Sequence, residues 1–429
     1  MTHTTVTEGM LSPYRVLDLA DEQGYYCGKM LADMGADVIK VERPGGDPSR
    51  RLGPFFHDEP HQEKSLSWFA YNAGKRSISL NLETADGREI FKKLVATADF
   101  LVESFGPGYM DGLGLGYAEL EKINPALIMI SITPFGPAGP YRDFKGSDLV
   151  LWALGLHTYP YGDDDRPPVR VTGEFQAYLN AGAQGAAAAS IALYHRAITG
   201  EGQLITVSVQ ECVARLTVMG TWDVNKRPVK RGPALNLAGN AIKVNYVWPC
   251  KDGDVVMLIG GGPLNVERAQ ILLNWMDDEG MLTDYLRNFD WLNFDFTVTK
   301  QEVIDAVCEP IIQFFAKHTK EELFTEAIKR RVMLYPVSTV EDIALSEQLA
   351  SRDYWVELDH PELDTKIKYP GAFTKSTGLP PRLKHRAPLI GEHNQSIYQK
   401  ELGITPDTMA RLKQSEVIWD VGRKIEKTT

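Results

Sequence analysis

Residues 15–44, RVLDLADEQGYYCGKMLADMGADVIKVERP, contain the pattern that decides the fold class. The short apolar run Arg15–Leu19 predicts a strand. The amphipathic stretch Tyr25–Met34, closed by Gly35, predicts a helix, and Val38–Glu42 predicts a second strand. Two strands joined by such a helix form a βαβ unit, whose strands are parallel. The sequence therefore predicts a parallel sheet with helices packed on it.

The alternation of strands and helices continues beyond this unit. Its further predicted members are helix 85–98, strand 100–103, helix 117–123, strand 127–132, an Ala-rich helix 178–196 and strand 204–209. Gly200 and Gly202 follow the long helix, as glycines commonly do at a helix end. We therefore expect an α/β protein.

A separate region is predicted in the middle of the chain. Residues 225–240 combine Pro and Gly with basic residues and are typical of a linker. A predicted strand, Val255–Ile259, then runs into Gly260-Gly261-Gly262, and residues 264–330 are mostly of helical pattern. The triple glycine indicates either a flexible loop over a site or a plain turn at a strand end.

Composition narrows the class of protein. The 429 residues are 43% hydrophobic and 24% charged, which is typical of a globular chain. The net charge of −11 argues against nucleic-acid binding, so an anionic ligand would need a local basic pocket. The start of the chain lacks an apolar signal core, and no apolar stretch approaches about 18 residues, so we expect no membrane span. Four dispersed cysteines without a CxxC pair predict a cytoplasmic protein.

Several common site motifs are absent from the sequence. The turn after the first strand, Asp21 to Gly28, lacks the GxGxxG that NAD binding requires, and Glu42 alone is a weak ribose-binding signal. There is no Walker A, GxSxG or HExxH sequence. His57 and His61 lie between prolines and are predicted to be surface residues rather than metal ligands. Neither a metal nor NAD is expected.

Two basic segments remain as candidate anion sites. Arg43, Arg50 and Arg51 follow the predicted strand Val38–Glu42, at the edge of the sheet where α/β proteins bind ligands. Their planar guanidinium groups suit phosphate oxygens, although a solvated basic loop fits equally well. Residues 72–77, NAGKRS, place Lys75 and Arg76 on a glycine turn and allow the same two interpretations.

An ordered series of segments resembles the class III CoA-transferases, the family of formyl-CoA transferase, carnitine CoA-transferase and α-methylacyl-CoA racemase. The resemblance covers nearly the whole chain. It rests on residues 31–44 LADMGADVIKVERP, 72–78 NAGKRSI, 102–108 VESFGPG, 113–117 LGLGY, 199–203 TGEGQ, 260–262 GGG and 387–393 APLIGEH.

The resemblance implies an architecture and a set of ligand contacts. Residues 1–224 and 331–429 would form a large Rossmann-like domain that binds CoA, and 225–330 a small domain. Two chains would interlock as rings, with the site between them. Four residues would contact CoA, and the triple glycine would be an active-site loop: Gln23, Arg43, Lys75 and Arg76, with Gly260, Gly261 and Gly262. The ligands would be an acyl-CoA and a carboxylic acid.

The family's catalytic Asp has no counterpart in this chain. In the relatives that Asp lies 21 residues before the Thr of the TGxGQ turn and four before a Gly, and here those positions are Tyr178 and Gly182. A phenol with a pKa of about 10 is un-ionised at neutral pH and cannot form an acyl anhydride. The family's racemases pair the Asp with a His, and Ser147 stands at that position, which argues against racemisation.

Three functions stay open at this point. In the first, the chain is the non-nucleophilic subunit of a heteromeric CoA-transferase and works with an Asp-bearing paralogue. Within the family it resembles that subunit of the succinyl-CoA:benzylsuccinate CoA-transferases of anaerobic toluene degradation, which implies succinyl-CoA and an aryl-succinate as substrates. In the second, a homodimer uses Glu174, one helical turn earlier, as its nucleophile. In the third, the chain is a non-catalytic CoA-binding scaffold.

Overall fold

A computed structural model describes residues 9–159, 161–162, 165–170, 173, 175–216, 242–260, 262, 265–296 and 298–419. Two units contain them. The first lies within Met1–His157, Thr172–Trp222 and Gln348–Thr429, and the second within Thr158–Val171 and Asp223–Glu347. This division assigns residues up to Glu347 to the second unit, whereas the predicted boundary lies at residue 331. Three predicted features lie wholly or partly outside the described residues: the linker 225–240, Glu174 and Gly261.

A parallel sheet forms the centre of the first unit. Among the described residues its strands are β1 (Arg15–Asp18), β2 (Asp37–Glu42), β3 (Arg76–Ser79), β4 (Phe100–Glu103), β5 (Ile128–Thr133) and β6 (Gln203–Ser208). Their order is β3-β2-β1-β4-β5-β6, and every neighbouring pair is parallel. This is the strand order of doubly wound, Rossmann-like sheets. The predicted α/β fold is thus confirmed, with strand ends shifted by one residue.

Helices cover both faces of this sheet. They are α1 (Tyr25–Asp33), α2 (Leu66–Asn72), α3 (Ala85–Val95), α4 (Tyr109–Gly112), α5 (Tyr117–Ile123), α6 (Asp148–Leu154), α7 (Gln176–Thr199) and α8 (Val209–Arg215). Successive strand residues point to opposite faces. Val16 accordingly packs in the core beneath α1 and α7, whereas Leu17 packs in the core beneath α3 and α5.

Small residues bring α7 close to α1. A Cβ atom at Gly182 would lie 2.9 Å from Cβ of Tyr26 and 3.0 Å from the backbone nitrogen of Cys27. Gly185 faces the Cys27 sulfur in the same way. The small residues of α7 therefore permit its close packing against α1.

Strand β3 is the element that the sequence analysis missed, because its four residues were interpreted as part of a glycine turn. The C-terminal part of the chain covers this edge of the sheet. Backbone N–H of Ser79 donates to Asn394 Oδ1 at 3.0 Å, and the buried Tyr398 hydroxyl donates to the Ser79 carbonyl at 2.8 Å.

Later elements of the chain are α14 (Glu347–Ser351), the antiparallel pair β10 (Trp355–His360) and β11 (Thr365–Pro370), a π-helical turn (Gln395–Glu401) and α15 (Pro406–Gln414).

The second unit has its own core. Its described elements are β7 (Val247–Cys250), β8 (Gly253–Met257), α9 (Val266–Asp278), α10 (Asp284–Arg287), α11 (Gln301–Phe315), α12 (Lys320–Arg330), β9 (Leu334–Pro336) and α13 (Val340–Ala344). The strands form an antiparallel sheet in the order β7-β8-β9. This agrees with the helical pattern predicted for residues 264–330. Across the described part of the chain, no helix has both the length and the apolar character needed to span a bilayer.

Candidate functional site

The strand order reverses between β1 and β4, and ligands of open α/β sheets bind at the carboxyl ends of the strands at such a point. Two residues join the strand ends there. The Ser104 hydroxyl donates to Asp21 Oδ1 at 2.7 Å, and the Asp21 backbone N–H donates to Ser104 Oγ at 2.9 Å. The reciprocal pair fixes the turn after β1 against the end of β4.

A cavity of about 420 Å³ opens beside this pair. Gln23, Ser104 and Gly146 are among its lining residues, and Arg142 and Lys145 supply two exposed cations. Gln23 Oε1 is buried and accepts no hydrogen bond from a described residue. An unsatisfied buried acceptor is costly, so this oxygen is suited to a donor group on a ligand. Asp143, which also lines the cavity, pairs with Arg142 at 3.3 Å. The structure thus places Gln23, predicted as a CoA contact, on a cavity that carries two cations and one carboxylate.

Tyr178 contacts Gly146, one of the residues that line this cavity. It is buried near the start of α7, and its hydroxyl donates a long, 3.4 Å hydrogen bond to the Gly146 carbonyl. Burial, and then the nearby carboxylates of Glu22, Asp148 and Asp21, raise the pKa of Tyr178 well above its usual value. Tyr178 is therefore a neutral phenol, and its correspondence to the family's nucleophile stays a prediction.

Carboxyl groups cluster around this phenol. Burial, and then repulsion by Asp21, raise the pKa of Glu22 to about 7. Burial also raises the pKa of Asp21, against the hydrogen bond from Ser104. Asp148 accepts a hydrogen bond from the Ala177 backbone N–H at 2.8 Å. An acidic side chain, that of Asp148, thus already caps the first turn of α7, although residue 178 is a phenol.

Lys75 lies inside the protein, among partners of its own. Its ammonium donates to Asp18 Oδ2 at 2.7 Å, and to the Tyr25 carbonyl and Asn72 Oδ1 at 2.8 Å each. Burial lowers the pKa of Lys75 to about 8, although Asp18 opposes the shift. A Cβ at Gly28 would collide with the Asp18 carboxylate, which explains the glycine within α1. Contact of Lys75 with CoA stays a prediction, and it would require this buried cluster to open.

Arg76 also has internal partners. Its guanidinium contacts Asp37 and Glu401, each at 2.6 Å, and Asp37 is the first residue of β2. The side chain thus reaches a residue at the amino end of a strand, away from the carboxyl ends that form the cavity. A role of Arg76 toward CoA is likewise untested and stays a prediction.

The arginines after β2 differ from one another. Arg50 is fully buried and binds Glu42 through two nitrogens, at 2.7 and 2.8 Å, and Glu63 at 2.6 Å. Neither the phosphate contact nor the solvated loop predicted for this segment fits Arg50, because it is buried and acidic residues already occupy its guanidinium. Arg43 and Arg51 are exposed, so Arg43 stays a candidate CoA contact.

The glycine stretch belongs to the second unit. Gly262 has a φ of 79°, where side chains are strained, and its N–H donates to the Trp291 carbonyl at 2.8 Å. A Cβ at Gly260 would lie 2.7 Å from Cβ of Asn265. Gly262 is thus required by its backbone conformation, and Gly260 by the close approach of Asn265. Their part in an active site is a prediction. Glu174, the alternative nucleophile, lies outside the described residues, as does Gly261.

Sequence reasoning missed several residues at or near the cavity. Glu22, Arg142 and Lys145 stand in loops and gave no periodic or motif signal, and Ser104, although part of the family segment 102–108, was not singled out as a site residue. Asp148 follows Ser147, whose hydroxyl caps α6, and such a pair commonly marks a helix start. That signal locates α6 but does not reveal that the Asp148 carboxylate serves the first turn of α7, since the contact joins residues 29 positions apart.

Comparisons with known proteins show the family. The model of CoA-transferase family III matches residues 11–394. Subunit BbsE of succinyl-CoA:(R)-benzylsuccinate CoA-transferase from Thauera aromatica is 38% identical over 389 residues, covering 90% of this chain and 93% of that protein. Succinate–glutarate CoA-transferase from Agrobacterium fabrum is 32% identical, covering 90% and 94%.

A solved structure shows the same fold. The crystal structure of a CaiB/BaiF family protein from Brucella suis superposes with a TM-score of 0.77 at 28% identity, covering 92% of this chain and 99% of that chain. The predicted enzyme class is confirmed, because the relatives are CoA-transferases by name and the similarity covers almost their whole length. The match over residues 11–394 places this chain in CoA-transferase family III, the family that its sequence resembles.

Proposed function

We propose that this chain is a subunit of an acyl-CoA:carboxylate CoA-transferase that works with an Asp-bearing partner chain. The observation that carries the proposal is the buried, neutral phenol of Tyr178 at the start of α7. Transfer by this family uses a carboxylate, which attacks the thioester and forms an acyl anhydride. A phenol with a raised pKa is not ionised at neutral pH and cannot replace it. In this proposal the carboxylate comes from another chain.

The cavity beside Tyr178 supports a binding role for this chain. Gln23 offers an unsatisfied amide oxygen. Lys145, and Arg142 beside its partner Asp143, offer positive charge in a protein whose net charge is −11. CoA carries phosphate groups, which such cations bind. The amide N–H groups of its pantetheine arm can donate hydrogen bonds, and Gln23 Oε1 can accept one. These residues would hold and orient the CoA portion, while the partner supplies the nucleophile.

The substrates we propose are succinyl-CoA and an aryl-succinate such as benzylsuccinate. The proposal is supported by the likeness to the Thauera aromatica subunit, whose name states that pair. In the reaction the thioester bond of succinyl-CoA breaks and a thioester to the aryl-succinate forms, so that the products are aryl-succinyl-CoA and free succinate. No oxidant, metal or nucleotide is consumed.

The test compares this chain alone with the chain co-expressed with an Asp-bearing paralogue. Succinyl-CoA and benzylsuccinate are supplied, and benzylsuccinyl-CoA is followed by liquid chromatography and mass spectrometry. We expect product only from the co-expressed pair, and none when the partner's nucleophilic Asp is replaced by Asn. Equal turnover by the chain alone would overturn the proposal.

The two alternatives give different results in the same assay. If Glu174 is the nucleophile, the chain alone forms a CoA thioester that hydroxylamine releases, and Glu174→Gln abolishes turnover. If the chain is a scaffold, it binds CoA but gives no product with any Asp-bearing partner. Native mass spectrometry of the purified protein separates a heteromer from a homodimer, including the interlocked dimer that the family resemblance implies.

A further inference from the structure

An apolar cavity of about 250 Å³ lies in the second unit, between the end of β8 and helix α9. Ile259, Leu272, Leu273 and Trp291 form its buried wall, and Met333, which is 61% exposed, stands at its rim. None of the functions assigned so far uses this space. An engineered cavity of about 150 Å³ already accepts benzene, so this one has room for an aromatic ring.

One charged side chain stands among the residues that line this cavity. Arg268 is exposed, and its Nη1 donates to Asn265 Oδ1 at 3.3 Å. Among the described residues, no carboxylate lies within ion-pair distance of its guanidinium. Arg268 therefore keeps donors available at the edge of an otherwise apolar space, which is the chemistry that an amphiphilic anion requires.

The cavity and the glycine stretch share one residue. The Trp291 ring lines the cavity, and its indole N–H is held by the Leu286 carbonyl at 3.1 Å. The Trp291 carbonyl accepts the hydrogen bond from the Gly262 N–H. Gly260 itself also lines the cavity. A ligand that contacts Trp291 would thus lie next to a residue hydrogen-bonded to the glycine stretch, which the family resemblance assigns to the active site.

We propose that this cavity binds the aryl group of the acid substrate, with Arg268 pairing with one of its carboxylates. The proposal rests on the transferase function proposed above and deepens it by naming the substrate class that the second unit selects. A plain dicarboxylate such as succinate has too little apolar surface to gain from this wall, whereas burial of a phenyl ring is favourable. The charged phosphates of CoA are too polar for this wall. The cavity would therefore discriminate between acids and not between CoA esters.

The test measures binding to the full chain without turnover. Calorimetry and Trp fluorescence follow the titration of benzylsuccinate, 3-phenylpropionate and succinate. We expect the two aryl acids to bind and succinate to bind at least about tenfold more weakly. Arg268→Gln should weaken the aryl acids by about tenfold or more, since it removes a charge-assisted contact. Ala269→Leu, which fills the cavity, should abolish their binding.

A matched variant controls for the loss of a surface charge. Arg287→Gln also removes an exposed arginine of the second unit, but one that pairs with Asp277 and does not line the cavity, so its affinities should equal those of the wild type. Arg268→Gln changes only an exposed side chain and should fold, so its affinity for aryl acids still tests the proposal if Ala269→Leu fails to fold. Unchanged aryl-acid affinity in Arg268→Gln, or equal affinity for succinate, overturns the proposal.

Transfer assays keep the two proposals separate. In the co-expressed pair, Arg268→Gln should raise KM for benzylsuccinate by about tenfold and leave KM for succinyl-CoA unchanged. Transfer that proceeds with both KM values unchanged rejects the aryl cavity and leaves the transferase function intact. Aryl acids that bind as expected, without transfer by any pair, retain the cavity and reject the transferase function.

Discussion

The Asp148 carboxylate accepts a 2.8 Å hydrogen bond from the backbone N–H of Ala177, one residue before Tyr178. Asp148 is the first residue of α6, whereas Ala177 lies in the first turn of α7. Phe175, which precedes α7, makes no side-chain cap. The helix start is thus capped by a residue of another helix, and the negative charge favoured at a helix N-terminus comes from Asp148.

Removal of this cap is expected to destabilise the first unit. Asp148→Ala leaves the Ala177 N–H without its acceptor and should lower the free energy of unfolding by about 1–2 kcal/mol. Asp148→Asn keeps an acceptor oxygen and should retain most of that stability. Urea unfolding followed by far-ultraviolet circular dichroism measures both variants. Identical midpoints for the two would show that the Asp148 carboxylate does not cap α7.

The Tyr178 hydroxyl is expected to be dispensable. Its hydrogen bond to Gly146 is long, at 3.4 Å, so Tyr178→Phe should lower the free energy of unfolding by less than about 1 kcal/mol. With the Asp-bearing partner, its transfer rate should stay within about twofold of the wild type, because the phenol is not the nucleophile. A folded Tyr178→Phe variant with most of its activity lost would contradict this.

A carboxylate at the same position should behave differently. Tyr178→Asp removes a buried ring and adds an acid beside Glu22, Asp148 and Asp21, so it should lower the free energy of unfolding by about 3 kcal/mol or more. The loss should be smaller at pH 5, where the new group is protonated more easily, than at pH 8. Chemical unfolding at the two pH values measures the difference.

The sequence predicted the elements that have long or regular patterns. Strand β1, helix α1 and strand β2 were placed within one residue, because apolar residues, Gly35 and the return of apolar residues at Val38 mark them locally. Strand β3 was missed because Ile78 is the one apolar residue among its four and because it follows a glycine turn. Its identity depends on its neighbours, β2 on one side and the segment around Asn394 and Tyr398 on the other, more than 300 residues later.

The candidate site was predictable only in part. Gln23 and Tyr178 were singled out through the family resemblance. Gln23 lines the cavity, and Tyr178 donates a hydrogen bond to Gly146, another of its lining residues. The burial of Arg50 and Lys75 was not visible in the sequence, since a basic residue looks the same whether its partner is a phosphate or an internal carboxylate. Arg50 meets the carbonyl of Pro388, 338 residues away, and no local pattern carries that information.

Glu22 should make stability depend on pH. Its pKa is about 7 in the folded protein and about 4.5 when unfolded, so the folded state binds the proton more tightly. The free energy of unfolding should therefore fall as the pH rises from about 4.5 to about 7. Allowing for partial exposure, the change from Glu22 is about 1–2 kcal/mol.

The variant Glu22→Gln isolates this contribution. It should be more stable than the wild type at pH 8 and similar to it at pH 4.5, as measured by urea unfolding at a series of pH values. Some pH dependence will remain, because burial also raises the pKa of Glu103 to about 7. A difference between variant and wild type that is constant from pH 4.5 to pH 8 would contradict the assignment.

The buried pair Arg50–Glu42 should be strongly coupled. Arg50→Met leaves the Glu42 carboxylate buried without its main counter-charge, and Glu42→Gln does the same to Arg50, so each should cost about 3–5 kcal/mol. The double variant removes both charges and should be less destabilised than the sum of the two by at least about 1–3 kcal/mol. Unfolding of all four proteins by denaturant gives this coupling energy.

The exposed pair Arg287–Asp277 is the control, and Arg287→Gln should leave stability unchanged because water replaces its partner. Additive losses at Arg50 and Glu42 would mean that their stability effects are independent of the ion pair.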